Sequence, residues 1–320
     1  MVTGMDALPM AAPLLVLSVS VSVLREHCVS ARLNQRPIIG VLAQESNNVI
    51  PFGKSYIPAS YVKILESAGA RVAPISTKLT EAEYTELLHS INGVLFPGGG
   101  SSVLNSRFAE ISAIIYNFTL KANDKGVHFP VWAICLGFQE LIVLTSGENI
   151  LTRTNTINLA LPLNFTKAGL HSRTFKNFPK NLLQALQIRP LTGHYHYWGV
   201  SVKNFTNNKK LNSFYRILTT NTDNQRVEYV STVEAIKYPI YAVQWHPERS
   251  PYEWNATLNI PHFSEAVKVA WYLADFFVNE ARWNFNHFSN TTEEGKALIY
   301  NYTPMFTGNI SRFEQVYLID

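Results

Sequence analysis

Between residues 37 and 137 the chain alternates two hydrophobic patterns. Short, almost wholly apolar runs occur at PIIGVLA (Pro37–Ala43), ARVAPI (Ala70–Ile75), GVLFPGGG (Gly93–Gly100) and FPVWAICLG (Phe129–Gly137). Each has the length and β-branched content of a strand buried on both faces. Between them lie SYVKILESAG (Ser60–Gly69), TEAEYTELLHS (Thr80–Ser90) and SRFAEISAIIYNFTLKAND (Ser106–Asp124), where apolar positions recur every three or four residues. Those stretches predict amphipathic helices, the first stopped by Gly69 and the second opening on acidic residues. Strands separated by helices require right-handed crossovers. The fold class is therefore α/β, a mostly parallel central sheet flanked by helices.

From about residue 150 the pattern shortens. YWGVSVKNF, FYRILTTNT and YPIYAVQWHPE read as β-rich pieces between turns rich in Asn, Lys and Thr. No Gly-, Ser- or Pro-rich linker separates them, so they are expected as added strands on the same domain. A long helix is predicted over His262–Trp283. The tail beyond it is expected to lie on the surface. There are no internal repeats.

The N-terminus is a different kind of segment. Ala7–Leu24 is apolar and uncharged, and VSA (Val29–Ala31) follows with small residues where a signal peptidase cuts. The division expected is a signal peptide over 1–31 and a single domain over 32–320. Asp6, and the lack of Lys or Arg before the run, leave an uncleaved anchor as the alternative. The run is about 18 residues, barely enough to span a bilayer. Seven N-x-S/T sequons, at Asn117, Asn164, Asn204, Asn255, Asn290, Asn301 and Asn309, fit a secretory route and glycosylation.

Composition narrows the choice further. Of 320 residues, 47% are apolar and 16% charged, which supplies a large core and argues against disorder. The net charge of +4 comes without a Lys/Arg run, so no nucleic-acid track is expected. The chain has two cysteines, Cys28 and Cys135. Cys28 would leave with the signal, and one thiol would remain without an intramolecular partner. Cys135 is then either a small buried hydrophobe or a reactive group.

Its setting favours chemistry. Cys135 stands at a strand-to-helix corner with Ala133 and Gly137 two residues to either side, the pattern of a nucleophile elbow. A thiolate there meets the positive end of the following helix. Gly98 and Gly99 in FPGGG can turn amides toward a reacting carbonyl and, with the amide of Leu136, form an oxyanion hole. A tight turn is the alternative role for that loop. Downstream, QWHPE sets His246 two residues before Glu248. On an extended chain the two point to one side, so Glu248 can orient the imidazole. No histidine group, His262 included, has metal-ligand spacing, and no metal or cofactor is expected.

The order and spacing of the glycine loop, the cysteine elbow and His-x-Glu resemble the class I glutamine amidotransferase family. Within that family the chain is similar to the γ-glutamyl hydrolases. The similarity runs through SYIPASYVKILESAGARV, FPGGG, WAICLGFQEL and QWHPE. One departure is Ala133, where the wider family's elbow has glycine. The resemblance implies an amidotransferase-like (flavodoxin-like) fold with added strands. It implies Cys135 as nucleophile, His246 as general base and acid, and Glu248 as the orienting carboxylate. His196, in GHYHYWGVSVKNF, is implied beside the substrate, with core packing as its alternative. Tyr61, Lys63, Arg173 and Trp198 are further substrate-contact candidates. It also implies a cysteine hydrolase of folyl or antifolyl poly-γ-glutamates that works through a thioester. Such an enzyme is lysosomal and secreted, homodimeric, and free of nucleic-acid or membrane partners after signal cleavage. Two other readings stay open: a peptidase of the same fold acting on ordinary peptide bonds, and a non-catalytic secreted glycoprotein.

Overall fold

The computed structural model describes residues 1, 33–46, 51 and 53–319. The expectations for the signal peptide and for Cys28 lie outside the described residues. An eight-stranded sheet organises the chain. In chain order its strands are β1 (Ile38–Leu42), β2 (Arg71–Ile75), β3 (Val94–Phe96), β4 (Val131–Ile134), β5 (Asn164–Phe165), β6 (Tyr215–Thr222), β7 (Glu228–Ala235) and β8 (Ile240–Val243). Their spatial order is β2-β1-β3-β4-β8-β7-β6-β5. The first five in that order are parallel, and β7, β6 and β5 continue the sheet antiparallel. The added strands therefore extend the same sheet.

Helices α1 (Ala59–Ser67), α2 (Glu81–Ser90), α3 (Arg107–Asp124), α4 (Leu136–Ser146) and α5 (Ser264–Ala281) cover both faces. Alternation along β1 shows how. Ile39 and Val41 join the core made with α1 and α5, while Ile38 and Leu42 join the one made with α2, α3 and α4. The helix starts follow the sequence signals. Thr80 accepts from the Glu83 amide while Glu83 reaches back to the Thr80 amide, closing a capping box on α2. Ser106 caps α3 by accepting from the Ala109 amide.

Two expectations are corrected. Within YWGVSVKNF only Trp198–Gly199 is strand, and Val202–Asn207 turns into a short helix capped by Ser201. That cap outweighs the β-rich composition of the stretch. The tail is also more than surface. Gln315–Leu318 pairs antiparallel with Ser55–Pro58, and Val316 and Ile319 are buried. The tail sequons at Asn290, Asn301 and Asn309 are nonetheless exposed. No helix among the described residues is long and apolar enough to cross a membrane.

Candidate active site

Register builds the site. Phe96 of β3 lies beside Ala133 of β4, and Ile134 of β4 beside Val243 of β8. The carboxyl ends of three adjacent parallel strands thus deliver the glycine loop, Cys135 and the His246 segment to one place, where open α/β sheets carry their sites.

Cys135 takes φ 53° and ψ −101° directly before α4. A positive φ on a side-chain-bearing residue costs on the order of 1–3 kcal/mol and must be imposed by its surroundings. Here the Cys135 amide donates to the Val243 carbonyl (2.8 Å), and the Cys135 carbonyl accepts from the Gln139 amide (3.0 Å). Close packing allows only glycine at 137, where a Cβ would stand 2.4 Å from the Phe96 carbonyl oxygen. The strained turn lifts the thiol clear of the strand at the amino end of an 11-residue helix.

The glycine loop is gripped from two sides. Tyr61 Oη accepts from the Gly98 amide (2.8 Å), and Gln44 Nε2 donates to the Gly98 carbonyl (2.5 Å). Among the described residues no acceptor meets the amides of Gly99 or Leu136. The three amides singled out in the sequence thus differ: Gly98 is engaged by Tyr61, while Gly99 and Leu136 are free to donate. Space is minimal at Gly98, where a Cβ would fall 2.6 Å from His246 Cε1 and 3.1 Å from Cys135 Cβ.

His246 and Glu248 are both buried, with Nδ1 and Oε1 2.7 Å apart. The segment is not extended as the sequence reading supposed. It turns, and Glu248 has helical φ/ψ at the start of the four-residue helix Arg249–Tyr252, yet the contact forms. Burial alone would pull the His246 pKa down. The Glu248 carboxylate and the hydrogen-bonded Cys135 sulfur more than offset it and hold the imidazole up to about 9. His246 therefore keeps its proton through neutral pH. His196 goes the other way. Burial first, then the charge of His246, lowers its pKa to about 3, and its ring is held by Thr154 and Thr156. It sits by the site as a neutral imidazole.

Two clefts meet at Cys135 and share Gly99, Gly100, Tyr195 and Tyr197. One, of about 460 Å³, runs past Leu136, Gln139, His196 and Trp198. The other, of about 670 Å³, runs past His246, Arg249, Tyr56 and the tail segment 308–313. His196 and Trp198 thus line a cleft beside the thiol. Tyr61 is fully buried behind the glycine loop, where it fixes Gly98.

The two cationic substrate-contact candidates are elsewhere, which corrects that expectation. Lys63 Nζ donates to Gln315 Oε1 (2.6 Å) and lines neither cleft. Arg173 donates to the carbonyls of Ala235 and Tyr238, next to the amino end of β8 and away from the carboxyl ends that carry the site. The cations lining the His246-side cleft are the buried Arg249, which sequence reasoning passed over although it directly follows the QWHPE motif, and the exposed Arg312. Tyr195, Gln139 and Gln44 were also missed. Of the sequons, Asn255 and Asn309 line the His246-side cleft. The side-chain amides of Asn204 and Asn301 are hydrogen-bonded to neighbouring carbonyls.

Comparison with known proteins identifies the family. The model of the Peptidase C26 family matches residues 37–248. A γ-glutamyl hydrolase of Homo sapiens is 52% identical over 303 residues, covering 94% of each chain. One of Bos taurus is 53% identical over 288 residues, 89% of this chain and 90% of that one. Among solved structures, the glutaminase domain of Trypanosoma brucei CTPS superposes with a TM-score of 0.50 at 13% identity, covering 79% of this chain and 97% of that one. That likeness concerns the fold. The chain belongs to the Peptidase C26 family, among the γ-glutamyl hydrolases.

Proposed function

We propose that this chain hydrolyses the γ-glutamyl bonds of folyl and antifolyl poly-γ-glutamates through a thioester on Cys135. The observation that carries the proposal is the convergence of Cys135, the paired His246 and Glu248, and the two free amides at the carboxyl ends of β3, β4 and β8. The names of its relatives supply the bond type.

The steps follow from the groups present. The Cys135 thiolate attacks the γ-carbonyl carbon, forming a C–S bond and sending the π electrons to oxygen. That oxyanion lies where the Gly99 and Leu136 amides can donate. The tetrahedral adduct collapses, the C–N bond breaks, and His246 gives its proton to the departing amine. A thioester and a free glutamate or glutamate chain result. Neutral His246 then takes a proton from water as it attacks the thioester, and the thiolate leaves, protonated histidine restored. Glu248 stabilises the imidazolium at the start and end of each cycle. Neutral His196 and Trp198 face the acyl portion, where an uncharged imidazole offers hydrogen bonds without adding charge.

The rest of the proposal comes from the signal-like N-terminus, the sequons and the family resemblance: a secreted and lysosomal glycoprotein, homodimeric, with no cofactor. Analytical ultracentrifugation of the secreted form checks the dimer. The direct test of function is hydrolysis of a γ-linked glutamate oligomer by the wild type and by Cys135→Ala. Turnover by the wild type and none by the variant is expected. Equal turnover would remove the thiol from the mechanism.

A further inference from the structure

Arg249 is the most unusual group in the molecule outside the catalytic set. Its side chain is 6% exposed; Nε and Nη1 are enclosed without a hydrogen-bond partner, and Nη2, the nitrogen left to meet a ligand, has no acceptor among the described residues. The nearest carboxylate oxygen, Glu248 Oε1, is 3.9 Å from Nε and already bonded to His246. Cζ lies 4.9 Å from the ring centroid of Tyr195 and 5.2 Å from that of Phe313. Two aromatic rings hold the guanidinium in place without using its N–H groups. A buried guanidinium with its donors unspent is costly unless something accepts from them. It faces a cleft that also contains Cys135 and His246.

Position indicates what the acceptor is. The carbonyl oxygen of a bound substrate goes toward the Leu136 amide, on the other cleft. The scissile nitrogen goes toward His246, on this one. In a γ-linked glutamate chain that nitrogen is bonded to a Cα bearing a free α-carboxylate. The carboxylate therefore arrives beside His246, three residues from Arg249. We infer that Arg249 binds the α-carboxylate of the departing glutamate, making the His246-side cleft a leaving-group subsite selective for an anionic amine. The inference rests on the γ-glutamyl hydrolase reading and adds to it the residue that recognises the leaving group. It also gives the enzyme a cationic contact that Lys63 and Arg173 do not supply.

The test compares two substrates that differ in one group: γ-glutamyl-glutamate, and the same dipeptide with the α-carboxylate of the leaving residue converted to a carboxamide. Wild type should favour the carboxylate by about 10- to 100-fold in kcat/KM, the range expected when a charge-assisted bond is lost. In Arg249→Gln the preference should fall to within about threefold of unity. A residue that only packs or steadies Glu248 would lower both substrates together and leave the ratio intact. Should Arg249→Gln fail to fold, Arg249→Lys keeps the charge but loses the planar fork, and an intermediate ratio is expected. A wild type without preference, or a variant ratio equal to that of the wild type, overturns the assignment. A wild type that cleaves neither dipeptide instead sinks the γ-glutamyl hydrolase reading itself, so the two failures are told apart.

Discussion

Glu248→Gln isolates the electrostatics on which the catalytic histidine depends. The exchange keeps the shape of the side chain and removes one buried charge 2.7 Å from His246 Nδ1. Burial is the largest single influence on His246 and it depresses the pKa; the Glu248 carboxylate is the largest of those raising it. Without that carboxylate the largest raising influence is gone, and the pKa falls from about 9 toward the ordinary 6.5. At about 1.4 kcal/mol per tenfold change, this removes on the order of 3 kcal/mol of preference for the imidazolium. The leaving amine then mostly lacks a protonated donor at neutral pH. The expected loss in kcat/KM at pH 7.5 is about tenfold, because an imidazole titrating near 6.5 is only about one-tenth protonated there. The assay is the pH profile of kcat/KM on a γ-linked substrate, whose basic limb reports the free enzyme's acid. Wild type should hold its activity until pH approaches about 9. The variant's basic limb should lie lower, by about two pH units. A folded variant whose limb stays where the wild type's is would refute the reasoning, because Glu248 would then only orient the ring.

The pKa of His246 also predicts a stability profile. Its folded value is raised, so its contribution is complete below about pH 6.5 and is lost as pH rises through about 9. Denaturant titrations of wild type and His246→Gln should therefore differ most at mildly acidic pH and converge above pH 9. Gly98→Ala places a Cβ 2.6 Å from His246 Cε1 and 2.7 Å from Tyr61 Oη, so the loop must shift. Steady-state kinetics should show at least a hundredfold loss of kcat, with a stability cost of about 1–3 kcal/mol. Tyr61→Phe strands the buried Gly98 amide and should cost about 1–3 kcal/mol in urea unfolding, along with part of kcat.

Much of this architecture can be read from one sequence because its signals are local. The buried strands announce themselves as short apolar runs, the helices by period and caps, and the elbow by small residues two positions either side of Cys135. What could not be read depends on partners far along the chain. Gln315–Leu318 is a four-residue strand whose partner, Ser55–Pro58, is some 260 residues away, and four residues show no usable period. The cation in the cleft was misassigned for a related reason. Composition cannot distinguish Arg173, whose Nη2 is held by backbone carbonyls away from the site, from Arg249, which lines the cleft with no acceptor on its guanidinium. Nor could sequence say which glycine amide is left free to donate, since that depends on Tyr61, 37 residues earlier, accepting from Gly98.

The central claim is that this site cuts γ-linked glutamate and is built for the carboxylates that such a chain displays. Its most direct measurement uses purified wild-type protein, matched tetraglutamates joined through γ- or α-carboxyls, and chromatography of the products at mildly acidic pH. The γ-linked chain should be cut and the α-linked chain cut about a hundredfold more slowly or not at all. An isomer with its carboxylates two methylenes away leaves buried donors such as those of Arg249 unpaired, at about 1–3 kcal/mol each. Comparable rates on the two isomers would contradict the account and mark the protein as a general peptidase on the same fold.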